Sequence, residues 1–188
     1  MAYLVFSGST RRNSYHTHLA HAAVDQLDQS GQAYTLLDLA DYPLPIYDGD
    51  IEAAGLPENA RTLRQIFARH HGLVIANPEY NGSITPLLKN VLDWVSRKDD
   101  SVKDIEPYAG KTALLLATSP GSLAGQRAIR HTREILTSLN AIVLPQHVAV
   151  PTASQAFAPN GELIDEKQKA ALKTQLNALI QLTEKLAD

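Results

Sequence analysis

The stretch that decides the fold passes from an apolar strand into a polar loop: Gly72-Leu73-Val74-Ile75-Ala76-Asn77-Pro78-Glu79-Tyr80-Asn81-Gly82-Ser83. A helix-period segment containing Leu87-Leu88-Lys89-Asn90 and Asp93-Trp94 follows it. A loop that follows a parallel strand lies at the carboxyl edge of the sheet, where open α/β sheets bind ligands. Tyr80 offers an aromatic face and Gly82 allows backbone N–H groups to approach closely, so this loop suits a flat polar ligand.

A second loop, near the amino terminus, has the composition of a phosphate site. Gly8-Ser9-Thr10-Arg11-Arg12-Asn13-Ser14 follows the strand-like Tyr3-Leu4-Val5-Phe6 and precedes a predicted helix. Orphan N–H groups and the dipole at a helix start favour an anion, and an arginine supplies a planar charged fork. The spacing matches neither the Walker loop nor Gly-x-Gly-x-x-Gly. A capped helix with two solvated arginines therefore stays open as the alternative.

The rest of the chain alternates between predicted strands and predicted helices. We predict strands over residues 2–7, 33–37, 72–77, 111–118 and 141–144, and helices over 15–29, 58–71, 85–96, 123–139 and 165–186. Continuous apolar strands separated by helices indicate a parallel sheet covered on both faces. The predicted fold is α/β: a flavodoxin-like, doubly wound, five-stranded parallel sheet of order 2-1-3-4-5. We expect residues 1–188 to form one domain.

A third loop completes a predicted site. Ser119-Pro120-Gly121-Ser122 follows the fourth strand, with Ser122 as the expected N-cap of the next helix. In this topology the carboxyl ends of strands one, three and four lie side by side, so their three loops surround one cavity. A planar cofactor with a single phosphate, such as FMN, suits that arrangement. FAD suits it less well because no second nucleotide-binding segment is evident.

Composition narrows the possible classes. Of the 188 residues, 44% are hydrophobic and 20% charged, and the net charge is −3, so neither nucleic acid nor an anionic membrane is an expected partner. The chain has no cysteine, which excludes disulfides and thiolate nucleophiles. No apolar run approaches the length of a membrane span, and Met1 leads into a strand and not into a signal peptide. We expect a cytoplasmic protein.

With these motifs the sequence resembles the NAD(P)H-dependent FMN reductases, a family that includes azo-dye, chromate and quinone reductases. Gly8-Ser9-x-Arg11-x-x-Ser14 matches the phosphate loop of the family. Pro78-Glu79-Tyr80-Asn81-Gly82-Ser83, with Leu88-Lys89-Asn90 and Asp93-Trp94, matches its flavin-ring loop. The order of elements matches from Tyr3 to about Val150. The resemblance implies thirteen FMN-binding residues and no metal: Ser9, Arg11, Ser14, Tyr15, His16, Pro78, Glu79, Tyr80, Asn81, Gly82, Ser83, Ser119 and Gly121.

The resemblance also implies a reaction. NADPH or NADH would pass a hydride to the flavin N5, and N–H groups of the Tyr80-Asn81-Gly82 turn would stabilise the charge that develops on the ring. No protein nucleophile is required, so we predict no catalytic side chain. The implied acceptors are quinones, azo compounds, nitroaromatics or chromate, reduced by a ping-pong route.

Two other classes remain as alternatives. A flavodoxin-like electron carrier would use the same fold and cofactor, although such carriers are usually strongly acidic. A hydrolase or ligand-binding protein on a doubly wound sheet would need a set of residues that is not visible here, such as a Gly-x-Ser-x-Gly elbow.

The predicted assembly is a homodimer or homotetramer. The segments around residues 85–108 and 123–139 carry more apolar residues than one sheet contact needs, which predicts an interface with two-fold symmetry, as the resemblance also implies. We expect Asp93 and Trp94 to line an interface. The connection holding Tyr42 and Tyr47 either leans over the flavin of a neighbouring subunit or packs locally. The apolar residues in question are Leu88, Val91, Leu92, Val95, Val102, Ile105, Tyr108, Ile129, Ile135, Leu136 and Leu139.

Overall fold

A computed structural model describes residues 1–99 and 105–187 as strands alternating with helices. The strands are β1 (Ala2–Ser7), β2 (Ala33–Leu37), β3 (Gly72–Ala76), β4 (Glu79–Tyr80), β5 (Ser83–Ile84), β6 (Thr112–Thr118), β7 (Ile142–Val143) and β8 (Val148–Val150). The helices are α1 (Tyr15–Gln29), α2 (Gly49–Ala53), α3 (Glu58–Ala68), α4 (Pro86–Ser96), α5 (Gln126–Ser138), α6 (Ala153–Ala156) and α7 (Glu166–Ala187), with a short 3₁₀ turn at Leu39–Asp41.

The main sheet is parallel and has the order β2-β1-β3-β6-β7. This confirms the predicted flavodoxin-like order once the two-stranded β4–β5 hairpin, which lies outside this sheet, is set aside. Side chains of β1 alternate between the two faces because the strand period is two. Tyr3 and Val5 pack with α1 and α7, whereas Leu4 and Phe6 pack with α3, α4 and α5. Both faces of the sheet are therefore covered.

The fifth position of the sheet is broken, so the prediction of a single strand over 141–144 was incomplete. β7 pairs with the amino-terminal half of β6, and β8 pairs with its carboxyl-terminal half. Pro145 lies between them and has no N–H to offer to a ladder. The Arg133 guanidinium donates to the carbonyl oxygens of Leu144 at 2.5 Å and Pro145 at 3.2 Å, which satisfies the acceptors left by the break.

Two helices are shorter than the sequence predicts. The helix expected over 58–71 ends at Ala68, and His70 turns back so that its Nδ1 lies 2.7 Å from the Ile66 carbonyl. The helix expected over 123–139 begins only at Gln126, because Ala124 and Gly125 have positive φ angles of 50° and 78°. Ser122 is therefore not its N-cap.

The long connection after β2 packs locally on α4. The Trp94 indole is fully buried and donates to the Pro45 carbonyl at 2.8 Å, so the expectation that Trp94 lines an interface is wrong. The Tyr47 ring stands edge-on to Trp94 with centroids 5.0 Å apart. The Asn90 side chain accepts the Tyr47 N–H at 2.8 Å and donates to Pro45 at 2.8 Å.

Most of the apolar residues expected at an interface belong to the core of this chain. α4 and α5 bury their apolar residues against the sheet, and Tyr108 is buried in the same core. The predicted surplus of apolar surface is therefore wrong for Leu88, Val91, Leu92, Val95, Tyr108, Ile129 and Leu136. Ile105, Ile135 and Leu139 are only partly buried. Val102 lies outside the described residues.

The close packing at Gly125 yields a test of the fold. An added Cβ would lie 2.8 Å from the Ala117 Cβ, in a backbone conformation that side chains rarely adopt. We expect Gly125→Ala to lower the free energy of unfolding by about 2–5 kcal/mol, since backbone strain and overpacking add. Gly110→Ala is the matched control, because Gly110 has a φ of 74° and no atom within 4 Å of its added Cβ. It should cost about 1–2 kcal/mol. Equal losses in urea unfolding would contradict the account.

Candidate functional site

The carboxyl ends of β1, β3 and β6 enclose a cavity of about 210 Å³. It brings together nine of the predicted residues: Ser9, Arg11, Ser14, Tyr15, His16, Pro78, Glu79, Tyr80 and Ser119. Thr118 and Pro120 also line it, although neither is among the thirteen predicted residues; Pro120 lies in the predicted third loop. The usable signal for Thr118 was its position as the last residue of the predicted fourth strand.

The phosphate loop, which borders this cavity, carries free donors. Ser14 is the N-cap of α1 and its hydroxyl accepts the His16 N–H at 3.3 Å, while the Ser9 hydroxyl accepts the Arg11 N–H at 3.2 Å. Within residues 1–99 and 105–187, the N–H groups of Thr10, Arg12 and Asn13 have no hydrogen-bond partner. Unpaired N–H groups at a helix start are suited to a phosphate.

Gly8 lets the first two loops touch. A Cβ at Gly8 would lie 3.0 Å from Pro78 Cδ and 3.1 Å from the Leu88 Cβ. The Gly8 N–H also donates to the Ala76 carbonyl at 2.9 Å, which extends the β1–β3 pairing to the edge of the cavity. A residue with a side chain at Gly8 would push the phosphate loop away from Pro78.

The second loop is a β-hairpin, which the sequence analysis did not predict. β4 and β5 pair antiparallel, and Asn81 and Gly82 between them have φ angles of 51° and 81°. Positive φ at both central residues defines a type I′ turn, for which Asn-Gly is the favoured pair. Tyr80 is 53% exposed, so its ring is accessible to a ligand. Asn81 and Gly82 form the tip, and neither of them lines the cavity.

Glu79 fastens this hairpin to α5. One carboxylate oxygen accepts the backbone N–H groups of Arg127 at 3.0 Å and Ala128 at 3.4 Å, and the other accepts from the Arg127 guanidinium at 3.1 Å. The N-cap residue of α5, Gly125, has no side chain to offer, so Glu79 supplies the acceptor and a negative charge at the positive end of the helix. The spacing of 48 residues left no signal in the sequence.

Two further predicted residues lie outside the cavity. The Ser83 hydroxyl lies 2.9 Å from His131 Nδ1 and faces a different groove. The Gly121 carbonyl accepts from the Ser119 hydroxyl at 3.0 Å and from the Thr152 N–H at 3.4 Å, so it shapes the third loop from behind.

His16 joins the helix that follows the phosphate loop to β6. Its Nε2 accepts the Thr118 N–H at 3.3 Å, and the ring also hydrogen-bonds to the Asn77 backbone. Burial lowers the pKa of the imidazole to about 4; the Asn77 contact opposes this change and the charge of Arg11 adds to it. His16 is therefore neutral at physiological pH.

Asn77, which sequence analysis did not single out as a site residue, ties the strand ends together. Its side chain is fully buried, donates to the carbonyls of Ile75 at 2.7 Å and Leu116 at 3.0 Å, and accepts the Thr132 hydroxyl at 2.9 Å. It thus links β3, β6 and α5 directly behind the cavity.

The arrangement fits FMN. Arg11 and the start of α1 lie on one side of the cavity, the exposed Tyr80 lies on another, and Gly8 keeps the two loops in contact. A doubly wound parallel sheet with such a site at its switch point defines a flavodoxin-like, flavin-binding class of protein.

Comparison with known proteins gives the family. The family model of NADPH-dependent FMN reductases matches residues 1–155. An NAD(P)H-dependent FMN reductase of Pseudomonas aeruginosa is 33% identical over 177 residues, which cover 94% of this chain and 91% of the relative. A quinone reductase of Escherichia coli is 33% identical over 174 residues, covering 91% and 89% of the two chains.

A solved structure has the same fold. The flavoenzyme NAD(P)H:(acceptor) oxidoreductase FerB of Paracoccus denitrificans superposes with a TM-score of 0.83 at 25% identity, covering 98% of this chain and 97% of that one. The chain belongs to the NADPH-dependent FMN reductase family, which confirms the resemblance, the FMN cofactor and the nicotinamide donor.

The lowered pKa of His16 gives a prediction for stability. An unfolded histidine protonates near pH 6.5, and the folded one only near pH 4, so stability is complete above pH 6.5 and falls as the pH drops toward 4. At pH 4.5 this loss is about 2–3 kcal/mol. In urea unfolding at pH 7 and 4.5, His16→Gln should lose less stability on acidification than the wild type, by about this amount.

The control for this measurement is His21→Gln, an exposed residue on the same helix. It should keep the large loss of stability on acidification, because the buried His16 is unchanged in it. Identical pH dependence in His16→Gln and wild type would contradict the account.

Proposed function

We propose that this family member oxidises NAD(P)H and reduces quinones through FMN held between the phosphate loop and the β4–β5 hairpin. The observation that carries the proposal is the cavity in which Arg11 and the N-terminus of α1 meet an exposed aromatic hairpin. Bound FMN supplies the capacity to accept a hydride from the nicotinamide and to pass the electrons on. The protein supplies position and electrostatics.

The proposed role of each predicted residue follows from the loop that carries it. Ser9, Arg11 and Ser14, with the loop N–H groups, hold the phosphate, and Tyr15 and His16 form the wall beside it. Pro78, Glu79 and Tyr80 border the ring, and Ser119 closes the third side. Asn81, Gly82 and Ser83 support the ring loop from the turn, and Gly121 supports the third loop.

The proposed acceptor is a small quinone. Two relatives that are 33% identical to this chain are named as reductases of quinones. A flat acceptor can also stack on the exposed face of the flavin ring after the oxidised nicotinamide leaves. Azo compounds, nitroaromatics and chromate stay predictions from the resemblance. Membership of a family of FMN reductases sets aside the electron-carrier and hydrolase alternatives.

The proposal extends to location and partners. No helix within the described ranges is long and apolar enough to cross a membrane. We place the enzyme in the cytoplasm, with a nicotinamide donor and a small-molecule acceptor as its partners and without nucleic acid.

The phosphate assignment predicts that the two arginines of the phosphate loop contribute unequally to FMN binding. Arg11 lines the flavin cavity and Arg12 does not. We expect Arg11→Ala to weaken FMN binding by about 1.5–3 kcal/mol, since it removes a charge-assisted contact, and Arg12→Ala to weaken it much less. Calorimetric titration of each apo-variant with FMN measures this. If both variants bind like wild type, the backbone alone holds the phosphate.

The ping-pong route predicts a kinetic pattern. Donor and acceptor use the same ring face in turn, so double-reciprocal plots against NADPH at several quinone concentrations should be parallel. Intersecting lines would show that both substrates bind together. Pre-reduced protein that passes no electrons to any quinone would return the carrier alternative to first place.

The proposed assembly is a homodimer at least, built from α4 and α5 with two-fold symmetry. Its support here is an open groove of about 650 Å³ between these helices and β5, to which the partly buried Ile135 contributes. Sedimentation equilibrium of the FMN-loaded protein should give a dimer or a larger assembly that Ile135→Asp dissociates. Ile164→Asp, at an exposed isoleucine away from this groove, is the control. A wild-type monomer at micromolar concentration would refute the proposal.

A further inference from the structure

A second cavity lies across the phosphate loop from the flavin cavity. It has a volume of about 400 Å³ and lies between the start of α1 and the carboxyl end of β2. Ser9 and Arg11 line both cavities, so the phosphate loop is a common wall. None of the thirteen predicted flavin residues except Ser9 and Arg11 faces this second space.

The second cavity has a cationic rim and an apolar floor. Arg11, Arg12 and His21 are exposed at its edge, and within residues 1–99 and 105–187 neither arginine forms a salt bridge. Three nearly fully buried side chains form its floor: Ala20, Leu37 and Leu39. Such a combination suits a ligand with one flat apolar part and at least one phosphate.

An acidic side chain lines the same cavity at the end of β2. Asp38 directly follows β2, the strand next to β1, and lines the cavity. Its Oδ1 accepts the Ala40 N–H at 2.9 Å, which fixes the carboxylate. In doubly wound dinucleotide-binding sheets, an acidic residue near the phosphate loop binds ribose hydroxyls, and an arginine beside it accommodates a 2′-phosphate.

We propose that this cavity binds an adenosine phosphate, with the base on the apolar floor, the ribose at Asp38 and the phosphate at Arg12. The proposal rests on the proposed function, because two molecules that take part in flavin-dependent reactions contain an adenosine phosphate. One is the nicotinamide donor, and the other is FAD, whose AMP half would continue across the phosphate loop. The residues that line this cavity would form the second nucleotide-binding site, for which no segment was evident from the sequence.

The first experiment titrates FMN-loaded protein with 2′,5′-ADP in a calorimeter. Arg12→Ala should weaken binding about tenfold, because it removes one charge-assisted contact. Thr17→Trp, which fills the cavity from α1, should abolish binding. Arg69→Ala is the matched control, since it removes an exposed arginine next to the amino end of β3, at the opposite edge of the sheet, and should leave affinity unchanged.

The second experiment separates the two sources. If the donor fills the cavity, 2′,5′-ADP competes with NADPH, and Arg12→Ala raises the KM for NADPH while kcat is kept. If FAD fills it, the apoprotein binds FAD more tightly than FMN. Thr17→Trp then removes this difference in affinity and leaves FMN binding unchanged. Either result supports the proposal. It is overturned if neither 2′,5′-ADP nor FAD binds with any dependence on Arg12 or Thr17.

The two proposals fail separately. A protein that oxidises NADPH with a quinone but shows no Arg12-dependent nucleotide binding disproves this inference alone. A protein that binds 2′,5′-ADP through Arg12 but passes no electrons to quinones disproves the proposed function alone.

Discussion

The site depends on polar contacts made where three strands end. Asn77 is buried and joins β3, β6 and α5 through its side chain, and His16 joins α1 to β6 through the Thr118 N–H. Each of these groups would be costly to bury without its partners, so the contacts hold the strand ends in one arrangement. Because the three loops begin at these strand ends, this arrangement also fixes the positions of the loops relative to one another.

Each loop is then shaped by a local constraint that serves the ligand. The Asn81-Gly82 turn fixes the hairpin, Glu79 fastens it to the first turn of α5, and Gly8 lets the phosphate loop lie against Pro78. Backbone geometry sets the hairpin's turn, and the contact of Glu79 with the start of α5 sets the hairpin's position. Together they hold Tyr80, which is 53% exposed. Such preorganisation is what a protein contributes when the cofactor carries the chemistry.

The sequence predicted the sheet order and most element bounds because strand and helix periods are local signals. It placed nine of thirteen residues around one cavity because each follows a strand end or opens a helix. It missed the split fifth strand, whose break is stabilised by Arg133, and the capping of α5 by Glu79, since both depend on residues distant in sequence. It also counted Leu88 and Ile129 as interface residues, because apolar periodicity does not say whether a helix buries its stripe in its own core.

The central claim is that the cavity between the phosphate loop and the hairpin holds FMN. The most direct measurement is the visible absorption spectrum of the purified protein, with identification of whatever flavin heat denaturation releases. The account predicts a flavin band from the folded protein, and a phosphate-loop variant, Arg11→Ala, that retains less FMN through purification than Arg12→Ala. A colourless protein whose spectrum and heat of binding do not change on addition of FMN would contradict it.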